Sequence, residues 1–388
     1  MSQDDRQWEL DAMRGLMLVL MTLTHLPTRL ADPLGQPFGY VSAAEGFVLL
    51  SAYMAGRVYS AKADRQGAEA MKTAFFNRAV KLYACQLALV VFAFTAVAGL
   101  GLALREGAVT DMLAFFLERP VVATLSAGLL LYSPALLDIL PIYIVFMLLS
   151  PLVLLHGMRH GWGAVMAVSL ALWFGAQFGL GPALYQMATG WFDMPLRYRD
   201  MGAFEIFAWQ LLWVIGLWLG TEHSEPGHQP TRFPRWMVLI AISLALFAFV
   251  WRHAVGQIPM PGQSPVNLMF DKWHLAPLRL LNLLALVVLA MYYAPWLKQH
   301  LPRWRPLEVL GKAALPVFCA HLVVALLALA AFGPANPARP VSVDLLILFM
   351  GFYTLWLVAR VTLARDRRVA QRKARKGPVR LSPSGAAR

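Results

Sequence analysis

An acid, a base and an imidazole interrupt the first apolar segment of the chain, which reads LDAMRGLMLVLMTLTHLP. They are Asp11, Arg14 and His25. Because eleven residues nearly complete a whole number of 3.6-residue turns, Arg14 and His25 share one helix face and lie about 16 Å apart. Asp11 lies one turn before Arg14, and Thr22 falls on the same stripe. A polar stripe is costly against lipid, so we expect it to face other helices or a water-filled cavity.

His25 is the candidate proton acceptor of this stripe. An imidazole has a pKa near neutrality and can act as a general base towards a hydroxyl group. Glu45 begins the next apolar segment, YVSAAEGFVLLSAYMAGRVY, and we expect it at the depth of His25. A carboxylate there could orient the imidazole and stabilise its cation. A structural hydrogen bond for His25 and a solvated helix start for Glu45 stay open as alternatives.

Four cations are predicted at the opposite depth, and they could together hold a phosphorylated donor. They are Arg57, Arg78, Lys81 and Lys312. The alternative is that they only flank membrane helices on the cytoplasmic side, where Lys and Arg are common. A second histidine, His321, lies three turns into the segment of Lys312 and is a possible additional catalytic residue.

The composition is typical of an integral membrane protein. Of the 388 residues, 59% are hydrophobic and only 14% are charged, whereas soluble domains have about 25% charged residues. Ten apolar segments are long enough to span a bilayer as helices. They lie at about 10–27, 42–60, 80–104, 135–156, 162–180, 203–221, 236–254, 275–296, 309–332 and 342–363. We predict an all-α integral membrane protein with about ten transmembrane helices in residues 1–363 and a disordered basic tail, 364–388.

The distribution of Lys and Arg predicts how these helices are oriented. With the N-terminus inside, the inside connections and termini hold 21 of these residues and the outside connections hold 8. Both termini are therefore expected in the cytoplasm, with the protein in the bacterial inner membrane. Ten basic residues follow from Arg360 onward, which fits contact with anionic membrane lipid. The net charge of +13 is not interpreted as nucleic-acid binding, since no aromatic platform or recognition motif accompanies it.

The outside connections are long and rich in Trp, Tyr, Pro and Gly. Aromatic faces beside polar groups suit a carbohydrate, and four residues are candidates for binding an acceptor. They are Asp138, Trp191, Asp271 and Trp273. The alternative for the aromatic residues is an interfacial belt at the membrane surface.

Several stretches of the chain resemble the membrane acyltransferase family 3, whose signature is an Arg, ten residues and a His in the first helix. The first two are ELDAMRGLMLVLMTLTHLP and SAAEGFVLLSAYMAG. A closer resemblance is to the OpgC family, the succinyltransferases of osmoregulated periplasmic glucans. It extends to LLDILPIYIVFMLLSPLVLL, FAWQLLWVIGLWLG, DKWHLAPLRLLNLLALVVLA and LGKAALPVFCAHLV. The resemblance thus covers most of the predicted membrane domain.

The resemblance implies an O-succinyltransferase that moves succinyl from cytoplasmic succinyl-CoA, its co-substrate, to glucose hydroxyls of a periplasmic β-glucan. It implies His25 as general base, Glu45 as the group that orients it, and Arg14, paired in sequence with Asp11, as a residue that binds the donor or steadies the oxyanion. The CoA phosphates are expected on the four cations, Arg57, Arg78, Lys81 and Lys312.

No permanently bound cofactor and no metal is expected from the resemblance, and small residues on the helices permit a homodimer without requiring one. Two alternatives stay open. One is an O-acetyltransferase that acts on another polysaccharide of the cell envelope, and the other is a polytopic transporter.

Overall fold

Every regular element in the described part of the chain is helical. The computed structural model describes residues 8–191, 196–224, 232–260, 262 and 264–375. The α-helices are α1 (Trp8–His25), α2 (Ala31–Gly35), α3 (Ala43–Gln66), α4 (Ala68–Phe92), α5 (Ala98–Leu104), α6 (Gly107–Met112), α7 (Ala114–Glu118), α8 (Pro120–Gly128), α9 (Ile139–His160), α10 (Gly163–Gln177), α11 (Leu180–Thr189), α12 (Ile206–Glu222), α13 (Arg235–Val255), α14 (Pro277–His300), α15 (Arg305–Lys312), α16 (Ala314–Phe332) and α17 (Val341–Arg375). A π-helical turn, Ala93–Val97, joins α4 to α5, and 3-10 turns lie at Tyr198–Met201 and Pro265–Phe270.

Seven of the helical stretches in these residues are long and apolar enough to cross a membrane. They are Ala68–Leu104, Ile139–His160, Tyr198–Glu222, Arg235–Val255, Pro277–His300, Ala314–Phe332 and Val341–Arg372, and the pair α10 and α11, bent by 82°, makes an eighth if it is one span. The all-α membrane architecture is thus confirmed, and each of the ten predicted segments is largely helical, although 309–332 is divided between α15 and α16. Ten spans and cytoplasmic termini stay predictions. Neither α1, with three charged residues, nor α3 is among the seven.

The last helix is longer than the sequence predicted. We expected disorder from residue 364, but α17 continues through this point to Arg375. The added residues are rich in Arg and Ala, which are good helix formers, and extending an existing helix avoids the cost of a new nucleus. The rest of the predicted tail, from residue 376, lies outside the described residues.

The first helix is held against α15 by contact between the two backbones. A Cβ atom on Gly15 would overlap the carbonyl of Leu307, and one on Gly311 would overlap the carbonyl of Asp11. Glycine at both positions therefore lets the helices approach more closely than any side chain would allow. Because α1 is fixed in this way, the depth of its polar stripe relative to α16, which follows α15, is fixed as well.

The start of α3 is determined by a capping box. The Ser42 hydroxyl accepts a hydrogen bond from the N–H of Ala44, and the Glu45 carboxylate accepts one from the N–H of Ser42. These bonds satisfy backbone donors that a helix start leaves free. They also fix Glu45 at the end of the bundle where α1 ends. We call this the histidine end, and we call the end where α1 begins the basic end.

The backbone contact of α1 predicts a stability difference between two glycine-to-alanine variants. Gly311→Ala should lower the unfolding free energy by about 1–3 kcal/mol, since the added methyl group has no room beside the Asp11 carbonyl. Gly99→Ala, in α5, is the matched control because a Cβ there meets nothing within 4 Å. It should raise stability slightly, by less than about 1 kcal/mol, because Ala is the better helix former. Thermal unfolding of the purified protein in detergent measures both, and equal melting temperatures would contradict the prediction.

Candidate active site

Two histidines from distant parts of the chain are hydrogen-bonded at the histidine end. Nδ1 of His25, the last residue of α1, lies 3.1 Å from Nε2 of His321 in α16, and the two rings stack with centroids 5.3 Å apart. Nδ1 of His321 lies 2.7 Å from the carbonyl oxygen of Phe318. His25 is half-buried and His321 is fully buried, so the pair presents one accessible ring and one supporting ring.

The hydrogen bonds of this pair determine where its protons lie. A carbonyl oxygen can only accept, so Nδ1 of His321 carries a proton, and a neutral His321 then accepts at Nε2. His25 must therefore donate from Nδ1, which leaves its Nε2 with a free lone pair. An imidazole held in one tautomer by a neighbouring group, with its other nitrogen free, is suited to act as a general base. His321 is the group that orients His25 here.

Glu45 does not fill the role that the sequence suggested for it. Its carboxylate lies 2.6 Å from Nη1 of Arg279 in α14, and its other oxygen accepts from Ser42. A buried carboxylate requires a charged partner. The guanidinium of Arg279, which is also buried, is that partner. Arg279 was missed in the sequence, although an Arg within the apolar stretch LAPLRLLNLLAL is the same kind of signal as Arg14.

A lysine, Lys272, follows two residues after Phe270, whose carbonyl oxygen accepts from Arg279 of this ion pair. The Lys272 ammonium is 4.8 Å from the ring centroid of Trp273 and 5.7 Å from that of Phe204. It interacts electrostatically with Glu45, Arg279, Asp138 and also His25. Burial lowers the pKa of Lys272, since the charged form loses solvation. We call Glu45, Asp138, Lys272 and Arg279 the charged cluster.

The four candidates for acceptor binding are not all brought together. Asp138 belongs to the charged cluster, accepts from the N–H of Ala203 at 3.0 Å, and has a pKa raised by burial. Trp273 is 40% exposed beside Lys272. Asp271 accepts from His274, through both its backbone N–H and Nδ1. Trp191 is 88% exposed and makes none of the contacts described for the other three.

An interhelical cavity of about 200 Å³ lies between the basic end and the histidine pair. Arg14 and Arg78 line one part of it, and Phe318, whose carbonyl oxygen holds His321, lines another. Its walls come from α1, α3, α4, α9 and α16 and are mainly apolar, with the hydroxyl-bearing residues Ser51, Tyr59 and Tyr143 among them. The predicted polar stripe therefore faces a cavity at Arg14, where Asp11 also pairs with the guanidinium.

A second cavity, of about 550 Å³, lies between α3 and α4 and adjoins the first. Tyr59 and Arg78 line both, so the two spaces meet at these side chains. Its lining includes three cations, Lys62, Arg78 and Lys81. We call this space the basic groove. Lys62 was missed as a site residue because in the sequence it is one of many basic residues that flank apolar segments.

The four predicted phosphate-binding cations are divided by the structure. Arg78 and Lys81 line the basic groove, but neither Arg57 nor Lys312 belongs to the lining of either cavity. The Arg57 side chain bonds Tyr53 on the same helix. Lys312 lies 3.9 Å from the Glu308 carboxylate, which Arg303 also holds. Residues at one predicted depth thus point to different sides of the bundle, since depth alone does not fix the direction of a side chain.

Comparison with known proteins identifies the family. The profile of the family described as OpgC protein matches residues 6–367. The chain belongs to the OpgC family. The match extends over nearly the whole chain and includes the histidine pair, both cavities and the charged cluster, so the resemblance found in the sequence is confirmed. No curated protein and no solved structure matches the chain. Membership in this family indicates a membrane acyltransferase of glucan modification.

Because the hydrogen bond from His25 to His321 fixes the tautomer of His25, we expect that changes of His321 alter activity through His25. His321→Leu should lower acyl transfer roughly 10²-fold, since His25 loses the acceptor that orients it. His321→Gln keeps an acceptor oxygen and should retain more of the rate. The pH dependence of kcat should move in the Leu variant, because the His25 imidazole then titrates without its partner. An unchanged pH profile with less folded protein would instead assign His321 a purely structural role.

Proposed function

We propose that this OpgC-family chain transfers a succinyl group from cytoplasmic succinyl-CoA to glucose hydroxyls of a periplasmic β-glucan. One observation supports the proposal most strongly: the basic groove adjoins the interhelical cavity, and the cavity extends towards the histidine pair. This arrangement offers cations for a nucleotide, a narrow apolar passage, and a general base at the far end.

The donor half of the proposal rests on the two cavities. The nucleotide of an acyl-CoA is highly charged, and Lys62, Arg78 and Lys81 of the basic groove can form charge-assisted hydrogen bonds with its phosphates. The uncharged pantetheine arm then extends through the interhelical cavity. Helical rise puts Arg14 about 16 Å from His25, which is similar to the length of an extended arm.

The chemical step rests on His25. Its free Nε2 removes the proton of a glucose hydroxyl while the hydroxyl oxygen attacks the thioester carbonyl carbon. The tetrahedral intermediate collapses, the carbon–sulfur bond breaks, and the CoA thiolate takes the proton back from His25. At about 16 Å from His25, Arg14 can bind the donor arm but cannot reach the oxyanion. Asp11 holds the Arg14 guanidinium in place.

The two substrates are proposed to enter from opposite sides of the membrane. The charge bias of the connections supports a cytoplasmic basic end, on the side where acyl-CoA is made, and a periplasmic histidine end. Only the acyl group then crosses, while the charged nucleotide stays on its own side. A transporter does not require a general base held in one tautomer, and this feature favours the enzyme.

This arrangement predicts sided transfer in sealed, uniformly oriented proteoliposomes. Succinyl-CoA should support glucan succinylation only from the side that bears the C-terminal tail, and β-glucan only from the other. Mass spectrometry of the glucan measures transfer. Full activity with both substrates on one side would contradict the passage.

The role of His25 as general base predicts that His25→Ala lowers transfer by about 10²–10⁴-fold, the usual contribution of a general base. The same mass spectrometry measures the variant, and near-normal activity would remove His25 from the mechanism.

The basic groove predicts a loss of donor affinity without a loss of acceptor affinity. The double variant Arg78→Ala and Lys81→Ala removes two cations from the groove and should raise the KM for succinyl-CoA by at least roughly tenfold, as hydrogen bonds to charged groups contribute about 1.5–3 kcal/mol. Lys72→Ala is the control, because Lys72 is on the same helix but pairs with Glu69 outside the groove. Equal KM values for the double variant and the control would show that these cations serve only membrane topology.

A further inference from the structure

The Lys272 ammonium has no ion pair and no hydrogen bond with any residue that the structure describes, although it lies in a charged and partly buried region. It lies over the ring faces of Phe204 and Trp273, which attract a cation without using its hydrogen-bond donors. Its three N–H donors are therefore available to the acceptor atoms of a ligand.

The carboxylates around Lys272 are already engaged elsewhere. Glu45 is held by Arg279 at 2.6 Å and by Ser42, while Asp138 accepts from the N–H of Ala203. The Arg279 guanidinium also donates from Nε to the carbonyl of Phe270 at 3.0 Å. Two cations and two carboxylates thus make up the charged cluster, and among them Lys272 is the member without a hydrogen bond or ion pair to any described residue. An anionic ligand is the chemical class that fits this position.

The position of Lys272 relative to the reacting atoms narrows the class of anion. Arg279, at the start of α14, pairs with Glu45 of α3. Phe47 of α3 stacks on Phe318, whose ring contacts His321. Lys272, in the segment that leads into α14, therefore lies at the same end of the bundle as the histidine pair, where the acyl group and the hydroxyl are proposed to meet. In a dicarboxylic monoacyl group such as succinyl, two methylene groups separate the reacting carbonyl from the free carboxylate. A cation at the histidine end that is not bonded to His25 is suited to hold that distal carboxylate while the carbonyl reacts.

We propose that Lys272 binds the free carboxylate of the transferred acyl group and makes the enzyme select dicarboxylic acyl groups over neutral ones. This inference rests on the acyl transfer proposed above and specifies its acyl substrate. Lys272 acts here as a specificity residue, and the rings of Phe204 and Trp273 fix its side chain. A different role for the same cation, stabilising the oxyanion at the thioester carbonyl, makes a different prediction, since it serves every acyl group alike.

Two donors of equal chain length separate these roles. Succinyl-CoA and butyryl-CoA both carry four-carbon acyl groups, but only succinyl has a distal carboxylate. In full-length protein purified in detergent, Lys272→Met should lower kcat/KM for succinyl transfer to β-glucan by roughly 10- to 100-fold, the effect of losing a hydrogen bond to a charged group. Butyryl transfer should stay unchanged or increase. Lys272→Arg keeps a cation and should keep the preference for succinyl.

The controls distinguish this inference from the proposed function. Lys298→Met also removes an ammonium, but one that pairs with Glu9 at the basic end, and it should leave the succinyl-to-butyryl ratio unchanged. If Lys272→Met lowers both transfers equally or neither, the carboxylate role is overturned while acyl transfer by the unaltered protein stands. If the unaltered protein transfers neither acyl group to β-glucan, the proposed function fails and the assignment of Lys272 fails with it. Thermal unfolding of each variant shows that it is folded.

Discussion

The hydrogen bond between His25 and His321 is the interaction on which the candidate site depends. It joins the end of the first helix to the middle of α16, across almost the whole length of the chain, and it fixes the tautomer of the accessible ring. For this bond to form, α1 must lie at one depth relative to α16. The glycines of α1 and α15 secure that depth, since their backbones touch and neither helix can slide without a clash.

Buried charge imposes the second constraint on the structure. In an apolar bundle each ionised group requires a partner, and the pairs Asp11–Arg14 and Glu45–Arg279 satisfy this at the two ends. The second pair also draws the start of α14 against the start of α3. The segment that precedes α14 follows it, so that Lys272 and Trp273 come to lie at the histidine end. A pairing that meets an electrostatic requirement thereby shapes this end of the site.

The basic groove and the interhelical cavity differ in their linings, and this difference is a consequence of how the helices pack. The basic groove lies between α3 and α4, where cations on adjacent turns of α4 face the same space. The interhelical cavity adjoins the groove and has mainly apolar walls. A charged nucleotide would be stabilised in the first space and destabilised in the second. This difference is the physical basis of the proposed passage, which would admit the uncharged pantetheine arm and leave the charged nucleotide outside.

The sequence by itself determined the helical membrane architecture, the family, and the stripe of Asp11, Arg14 and His25, because composition and helical periodicity are local properties of the chain. It also indicated Arg78 and Lys81 by their position beside an apolar segment. Only the tertiary structure decided which groups meet. It gave His25 a histidine where a carboxylate was expected, paired Glu45 with Arg279, and left Arg57 and Lys312 outside the groove. The reason is physical: periodicity fixes the face and depth of a residue on its own helix, but the rotation of neighbouring helices, and so the partner across the interface, is set by the packing of the whole bundle.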